Sequence, residues 1–194
     1  AHGEIEAARH RYHLPEQFVL YTGALQPRKN LTRLATAFSR LVKKGLPHTL
    51  VIAGRRAWLH KGMLEDIERL NLGDRIQFTG YVEQDDLPCI YAAAAAFVYV
   101  SIYEGFGLPV LEALATGTPV LASSIAAIKE VAGDAAAYCE PLEVEDMEHS
   151  LARLLSESDL QAKLRLAGPK RAAKFTRKAM ANAALDGYRR ALEK

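Results

Sequence analysis

The sequence predicts an α/β domain, a parallel sheet with helices on both faces. Three observations predict it. Short apolar runs at Phe18–Thr22 (FVLYT), Thr49–Ala53 (TLVIA) and Ala96–Val100 (AFVYV) have the length and the lack of alternation of strands buried on both sides. Stretches with helical spacing of apolar residues lie between them, so strand and helix alternate. A glycine or glycine-rich turn follows each strand: Gly23, Gly54, Gly80 and the Glu104–Gly107 turn. In a parallel sheet such loops gather outside the carboxyl ends of the strands, where ligands bind.

Taken in order, residues 1–17 are polar and mixed and read as a linker into a domain spanning 18–194. After the first strand and the turn ALQPRKN, Asn30 is the expected cap of a helix that carries Leu31, Leu34, Phe38 and Leu41 on one face. Gly45 and Pro47 end it. The strand TLVIA and a polar loop precede a helix near Met63–Leu70, a strand near Ile76–Thr79 and a helix from about Asp85 to Ala95. The strand AFVYV leads into SIYEGFGLPVLEALATGTPVLASS. There Pro109 suits a first helical turn and Gly117 the helix end, with a strand around Pro119–Ala122. Ala135–Cys139 reads as a last small strand and Glu145–Leu155 as a helix. Asp159 caps the next helix, Gly168-Pro169 interrupts it, and Arg177–Leu192 forms the final one.

Composition narrows the function. A length of 194 residues suffices for a proper core, and a net charge of +2 gives no case for nucleic acid. Cys89 and Cys139 are far apart without metal-ligand spacing, and the six histidines do not cluster, so reduced thiols in the cytoplasm and no metal are expected. No apolar run spans a bilayer. Asp85-Asp86 reads as a helix start rather than a metal-binding pair. The absence of Gly-x-Gly-x-x-Gly after the first strand counts against NAD or FAD. Because the chain opens on Ala1 rather than Met, its natural beginning is expected upstream.

The chemistry concentrates between Glu104 and Glu112. Gly105 and Gly107 let a backbone approach a ligand closely, and the helix that follows aims unpaired N–H groups at it. That helix end favours a phosphate by roughly 0.3–1 kcal/mol. Carboxylates on either side would repel phosphate, so they suit neutral hydroxyls. Hydroxyls, phosphates and more hydroxyls in sequence describe a sugar nucleotide. On the bare fragment alone, Glu112 as a solvated helix residue and Glu104 as an acid that stabilises the helix start are the better explanation. Arg28 and Lys29, after the first strand, sit where cations neutralise a pyrophosphate leaving group.

The full wording YEGFGLPVLEALATGTPVLAS resembles the Glu-x7-Glu signature of retaining family 4 glycosyltransferases, which have the two-domain GT-B fold. FVLYTGALQPRKN, RIQFTGYVEQDDLPCIYAAA and EVAGDAA extend the likeness. It implies the C-terminal, donor-binding, Rossmann-like half of such an enzyme, with the N-terminal domain that supplies most of the acceptor site lying outside this chain. It assigns Glu104 to the donor sugar and Lys29 to the phosphates. Gly105, Phe106, Gly107 and Leu108 serve sugar and phosphate through their backbone, and Glu112 holds the ribose. Tyr81 and Val82 line the base pocket, Gly23 belongs to the first loop, and Arg55 is a weaker donor contact. Glu130 matches a common position that packing or capping also explains. Many relatives carry an arginine where this chain has Ala24, which leaves Arg28 as the substitute cation.

The resemblance further implies a glycan or lipid-linked acceptor, no metal or other cofactor, and terminal helices that brace the N-terminal domain. GDP-mannose is preferred over a UDP-sugar. The isolated chain is expected to bind nucleotide and transfer little. A sugar-nucleotide epimerase of the same fold, or a non-catalytic half of a two-part transferase, remain as alternatives. Lys170, Arg171, Lys174, Arg177 and Lys178 form a basic stretch that reads as a solvated helix face, with peripheral contact to the inner face of a membrane as the second reading.

Overall fold

The computed structural model describes residues 2–55 and 61–192, so part of the polar loop after Gly54 lies outside it. The elements run α1 (His2–Arg11), β1 (Phe18–Thr22), α2 (Leu31–Lys43), β2 (Thr49–Ala53), α3 (Lys61–Glu68), β3 (Ile76–Gly80), α4 (Leu87–Ala93) and β4 (Ala96–Tyr99). Then come α5 (Leu108–Ala115), β5 (Val120–Ser123), α6 (Ala126–Ala132), β6 (Ala137–Cys139), α7 (Val144–Ser156), α8 (Ser158–Ala172) and α9 (Arg177–Leu192).

Among the described residues six strands form one sheet in the order β3-β2-β1-β4-β5-β6, every pair parallel. β1, β2, β4 and β5 are buried throughout, which is why their sequences are continuous apolar runs. Helices α2, α3 and α7 pack together, as do α1, α4, α5, α6 and α8. Right-handed crossovers put these groups on opposite faces of the sheet. The strand order reverses between β1 and β4, so the loops after those two strands diverge and leave a crevice at the carboxyl edge.

Four expectations about local structure are revised. Residues 1–17 are not an irregular linker: α1 lies on α4, with Ala8 and Leu14 buried. The helix is hard to see in the sequence because polar contacts hold it. Arg11 Nη1 lies 2.6 Å and Tyr12 Oη 2.7 Å from Asp86 Oδ2. Asp86 therefore does stand at a helix start, but its carboxylate serves α1 instead of the α4 backbone.

Asn30 does precede α2, yet makes no side-chain cap. It adopts φ +64°, and its amide nitrogen donates to the carbonyls of Val100 at 3.0 Å and Pro141 at 2.5 Å. The residue ties the first loop to the end of β4. Gly168-Pro169 does not break α8, which runs through to Ala172. A Cβ at Gly168 would lie 2.8 Å from the Leu114 carbonyl oxygen, so the glycine is there to let α8 approach α5. The carbonyl of Arg165, which proline cannot serve with an N–H, lies against Gly117. The basic stretch is also divided in use: Arg171 donates to the carbonyls of Val131, at 2.8 Å, and of Glu130. Among the described residues no helix is long and apolar enough to cross a membrane.

Candidate functional site

The loop after β1 begins extended at Gln26, tightens into one 3-10 turn over Pro27–Lys29, and is stopped by the left-handed Asn30. Pro27 presets the turn, whose N–H groups at Lys29 and Asn30 return to Gln26 and Pro27. The result points Lys29 across the top of β4. Its side chain is buried, and Nζ lies 2.6 Å from both Glu104 Oε1 and Tyr99 Oη. Tyr99 also donates to Glu104 Oε1 at 2.9 Å, and its ring stacks on Tyr21 and Phe97. Arg28 reaches the same carboxylate oxygen, Nη1 at 2.9 Å, and donates to the Tyr103 carbonyl at 3.1 Å. The Ile102 N–H bonds the Arg28 carbonyl at 2.9 Å, which joins the two loops through backbone as well.

Electrostatics follow from this packing. Burial raises the Glu104 carboxyl, but hydrogen bonds from Lys29, Arg28 and Tyr99 outweigh it and hold the group below the usual carboxylate range. Burial lowers Lys29 from the ordinary lysine value, and the pairing with Glu104 only partly restores it. Tyr99 is pushed well up, by burial first and then by the Glu104 charge. The cluster is a desolvated ion pair with two cations on one carboxylate.

Alongside it, the loops after β1, β2 and β3 are stitched by backbone bonds: Gly23 N to Ala53 O at 2.9 Å, Leu25 N to Arg55 O at 3.2 Å and Gly54 N to Gly80 O at 2.8 Å. A Cβ at Gly54 would sit 2.0 Å from the Gly23 carbonyl oxygen, so only glycine permits this approach. These loops and α5 enclose a cavity of about 330 Å³, lined among others by Gly23, Arg55, Tyr81, Val82, Pro109 and Glu112. The Arg55 guanidinium lies over the Tyr81 ring, 4.3 Å from its centroid. A second cavity of about 290 Å³ shares Leu87, Tyr91 and Glu112 with the first, so Glu112 stands on the wall between them. Tyr91 donates to Glu112 Oε2 at 2.9 Å and pairs with Thr22 Oγ1 at 2.7 Å.

Of the residues expected at the site, Lys29, Arg28 and Glu104 therefore meet directly, and Gly23, Arg55, Tyr81, Val82 and Glu112 line the cavity. Gly105 and Phe106 are exposed on the loop ahead of α5, and Leu108 is exposed at the first position of that helix. Gly107, at φ +98°, precedes α5 and sits on Ile128. Ala24 lines the cavity and brings no charge; Arg28 is the second cation on Glu104. Sequence reasoning missed Tyr99, Tyr91 and Thr22. The available signal was a hydroxyl-bearing residue at or near the carboxyl end of an otherwise apolar element. Among the described residues no three His, Cys, Asp or Glu side chains group as metal ligands.

Comparison with known proteins identifies the family and the fold. Residues 4–171 match the family model described as glycosyl transferases group 1. The chain is 39% identical over 151 residues to O-antigen chain mannosyltransferase B of Escherichia coli, covering 76% of this chain and 40% of that protein. It is 32% identical over 195 residues to a serotype-specific mannosyltransferase, WbdA, of Escherichia coli, covering 97% of this chain and 24% of that protein. Among solved structures, sucrose-phosphate synthase from Thermosynechococcus elongatus superposes with a TM-score of 0.81 at 28% identity, over 97% of this chain and 49% of that one. The chain thus spans less than half the length of each of these three proteins.

Proposed function

This chain belongs to the group 1 glycosyl transferases, and we propose that it is the donor-binding part of a retaining enzyme that moves a hexosyl group from a nucleoside diphosphate to a glycan or lipid-linked acceptor. One observation carries the reading. Two cations, one carboxylate and the amide end of α5 converge at the strand-order reversal, beside a cavity walled by Glu112 and the Arg55–Tyr81 stack. Ribose hydroxyls suit Glu112, which Tyr91 orients. The diphosphate suits Lys29, Arg28 and the N–H groups ahead of α5. On arrival its charge takes over the cations, and Glu104 is left to accept hydroxyl protons from the sugar.

In the transfer, the bond from C1 to the diphosphate oxygen breaks and the acceptor oxygen bonds C1 on the same face. The acceptor proton passes to the departing phosphate. The protein's part is positioning and stabilisation of that leaving group. Lys29, Arg28 and the backbone supply the positive charge, so this reading calls for no resident metal. It places the domain in the cytoplasm, where free thiols such as Cys89 and Cys139 persist. The names of the two Escherichia coli relatives favour a mannosyl donor, so GDP heads the series to test.

Calorimetry of the chain with GDP, UDP and ADP tests the proposal. One of the three binds, and Glu112→Ala weakens it about tenfold or more, the loss of hydrogen bonds to a charged group. Failure of all three to bind overturns the reading.

A further inference from the structure

We infer that Phe175, backed by Arg171, is a positioning residue for the Gly105–Gly107 loop, and through it for the diphosphate end of the ligand; this rests on the function proposed above. The loop has a glycine on either side of Phe106, so its own backbone gives it little stiffness. Its shape has to be imposed from outside. Two contacts impose it. Under Gly107 lies Ile128 of α6, so close that a Cβ on the glycine would stand 2.4 Å from Ile128 Cδ1. Against Phe106 lies Phe175, just beyond α8, with ring centroids 5.9 Å apart at 77°, the edge-to-face arrangement.

Both contacts lead back to Arg171. Its guanidinium lies over the Phe175 ring, 5.2 Å from the centroid. The same group donates to the Glu130 and Val131 carbonyls, at the end of the helix that carries Ile128. Gly133 is pressed against it, since a Cβ there would be 3.4 Å from Arg171 Cζ. One turn earlier in α8, Gly168 lets that helix lie on the backbone of α5. One arginine therefore fixes the distance between the two braces, and α5 is referenced to the same helix. A group so placed touches no ligand atom and acts only through the loop.

The test is calorimetry of the whole chain with the nucleoside diphosphate that binds tightest and with its monophosphate, alongside melting curves. Phe175→Ala weakens the diphosphate about three- to tenfold, from the worth of one edge-to-face pair, and the monophosphate less, so the affinity ratio narrows. Phe175→Tyr restores the ratio, and Lys174→Ala, on the exposed side, leaves it unchanged. Phe106→Ala reproduces the loss, and the double variant adds nothing to it. Equal weakening of both nucleotides, or additive losses in the double variant, overturns the inference. A wild-type chain that binds diphosphate while Phe175→Ala and Phe106→Ala bind it equally well overturns this inference alone. A wild-type chain that binds no nucleotide removes the functional reading beneath it.

Discussion

Replacing Lys29 by methionine tests the electrostatic core of the site. The substitution keeps the stem and removes the ammonium, leaving Glu104 with Arg28 and Tyr99. At the observed 2.6 Å separation, the gross attraction at an effective dielectric of 20 is about 6 kcal/mol. Desolvation of two buried charges cancels much of that, and the partners that remain soften the loss below the ~3–5 kcal/mol of a pair broken outright. A cost of about 2 kcal/mol is expected at pH 7, or a fall of roughly 4–8 °C in melting temperature. The pH dependence carries the sharper information. Glu104 is held below the ordinary carboxylate value in the folded chain. Its contribution is present above the unfolded pKa, about 4.3, and is lost as pH falls through the folded value. Lys29 is lowered by burial, so its own titration raises stability only toward pH 10 and plays no part in the acid window. Urea unfolding of wild type and Lys29→Met at pH 7, 5 and 3.5 should show the gap narrowing at the acid end. A gap that is equal at all three values refutes the argument, because it would then reflect packing and not charge.

Three further outcomes are expected. Gly54→Ala places a methyl into the Gly23 carbonyl, so it costs about 3 kcal/mol and abolishes nucleotide binding, read by thermal melting and calorimetry. Tyr91→Phe frees Glu112 and Thr22 from their shared hydroxyl and lowers nucleotide affinity about three- to tenfold, more than it lowers that of the Glu112→Ala variant. Cys139 is buried and its thiol is pushed up to about 12, chiefly by burial; a thiol reagent at pH 8 should label Cys89 in the native chain and Cys139 only after denaturation.

The sheet was legible because burial on both sides leaves its central strands almost continuously apolar, as in LVIA of β2 and AFVY of β4. Strand order was not legible, since it depends on which pairs meet in space. α1 escaped for a related reason: little of it is apolar, and what holds it is Asp86, about seventy-five residues away. Pro169 misled because a local rule about proline was overridden by the close approach of α8 to α5 at Gly168. At the site, charged and glycine residues announced themselves through spacing. The tyrosines that orient them looked like core, and by burial they are core: Tyr91 and Tyr99 each expose 1% of their surface.

Glu104 gives the cleft a resident counterion. Lys29 and Arg28 do not wait bare for an anion; one carboxylate that cannot diffuse away already offsets half of their charge. A chloride or acetate ion arriving from solution brings one charge to the single positive charge left over, and it surrenders its own hydration on the way in. A diphosphate brings more charge and several oxygens, and can displace the carboxylate. On the function proposed above, the cleft favours polyvalent anions over small ones before any sugar or base is read.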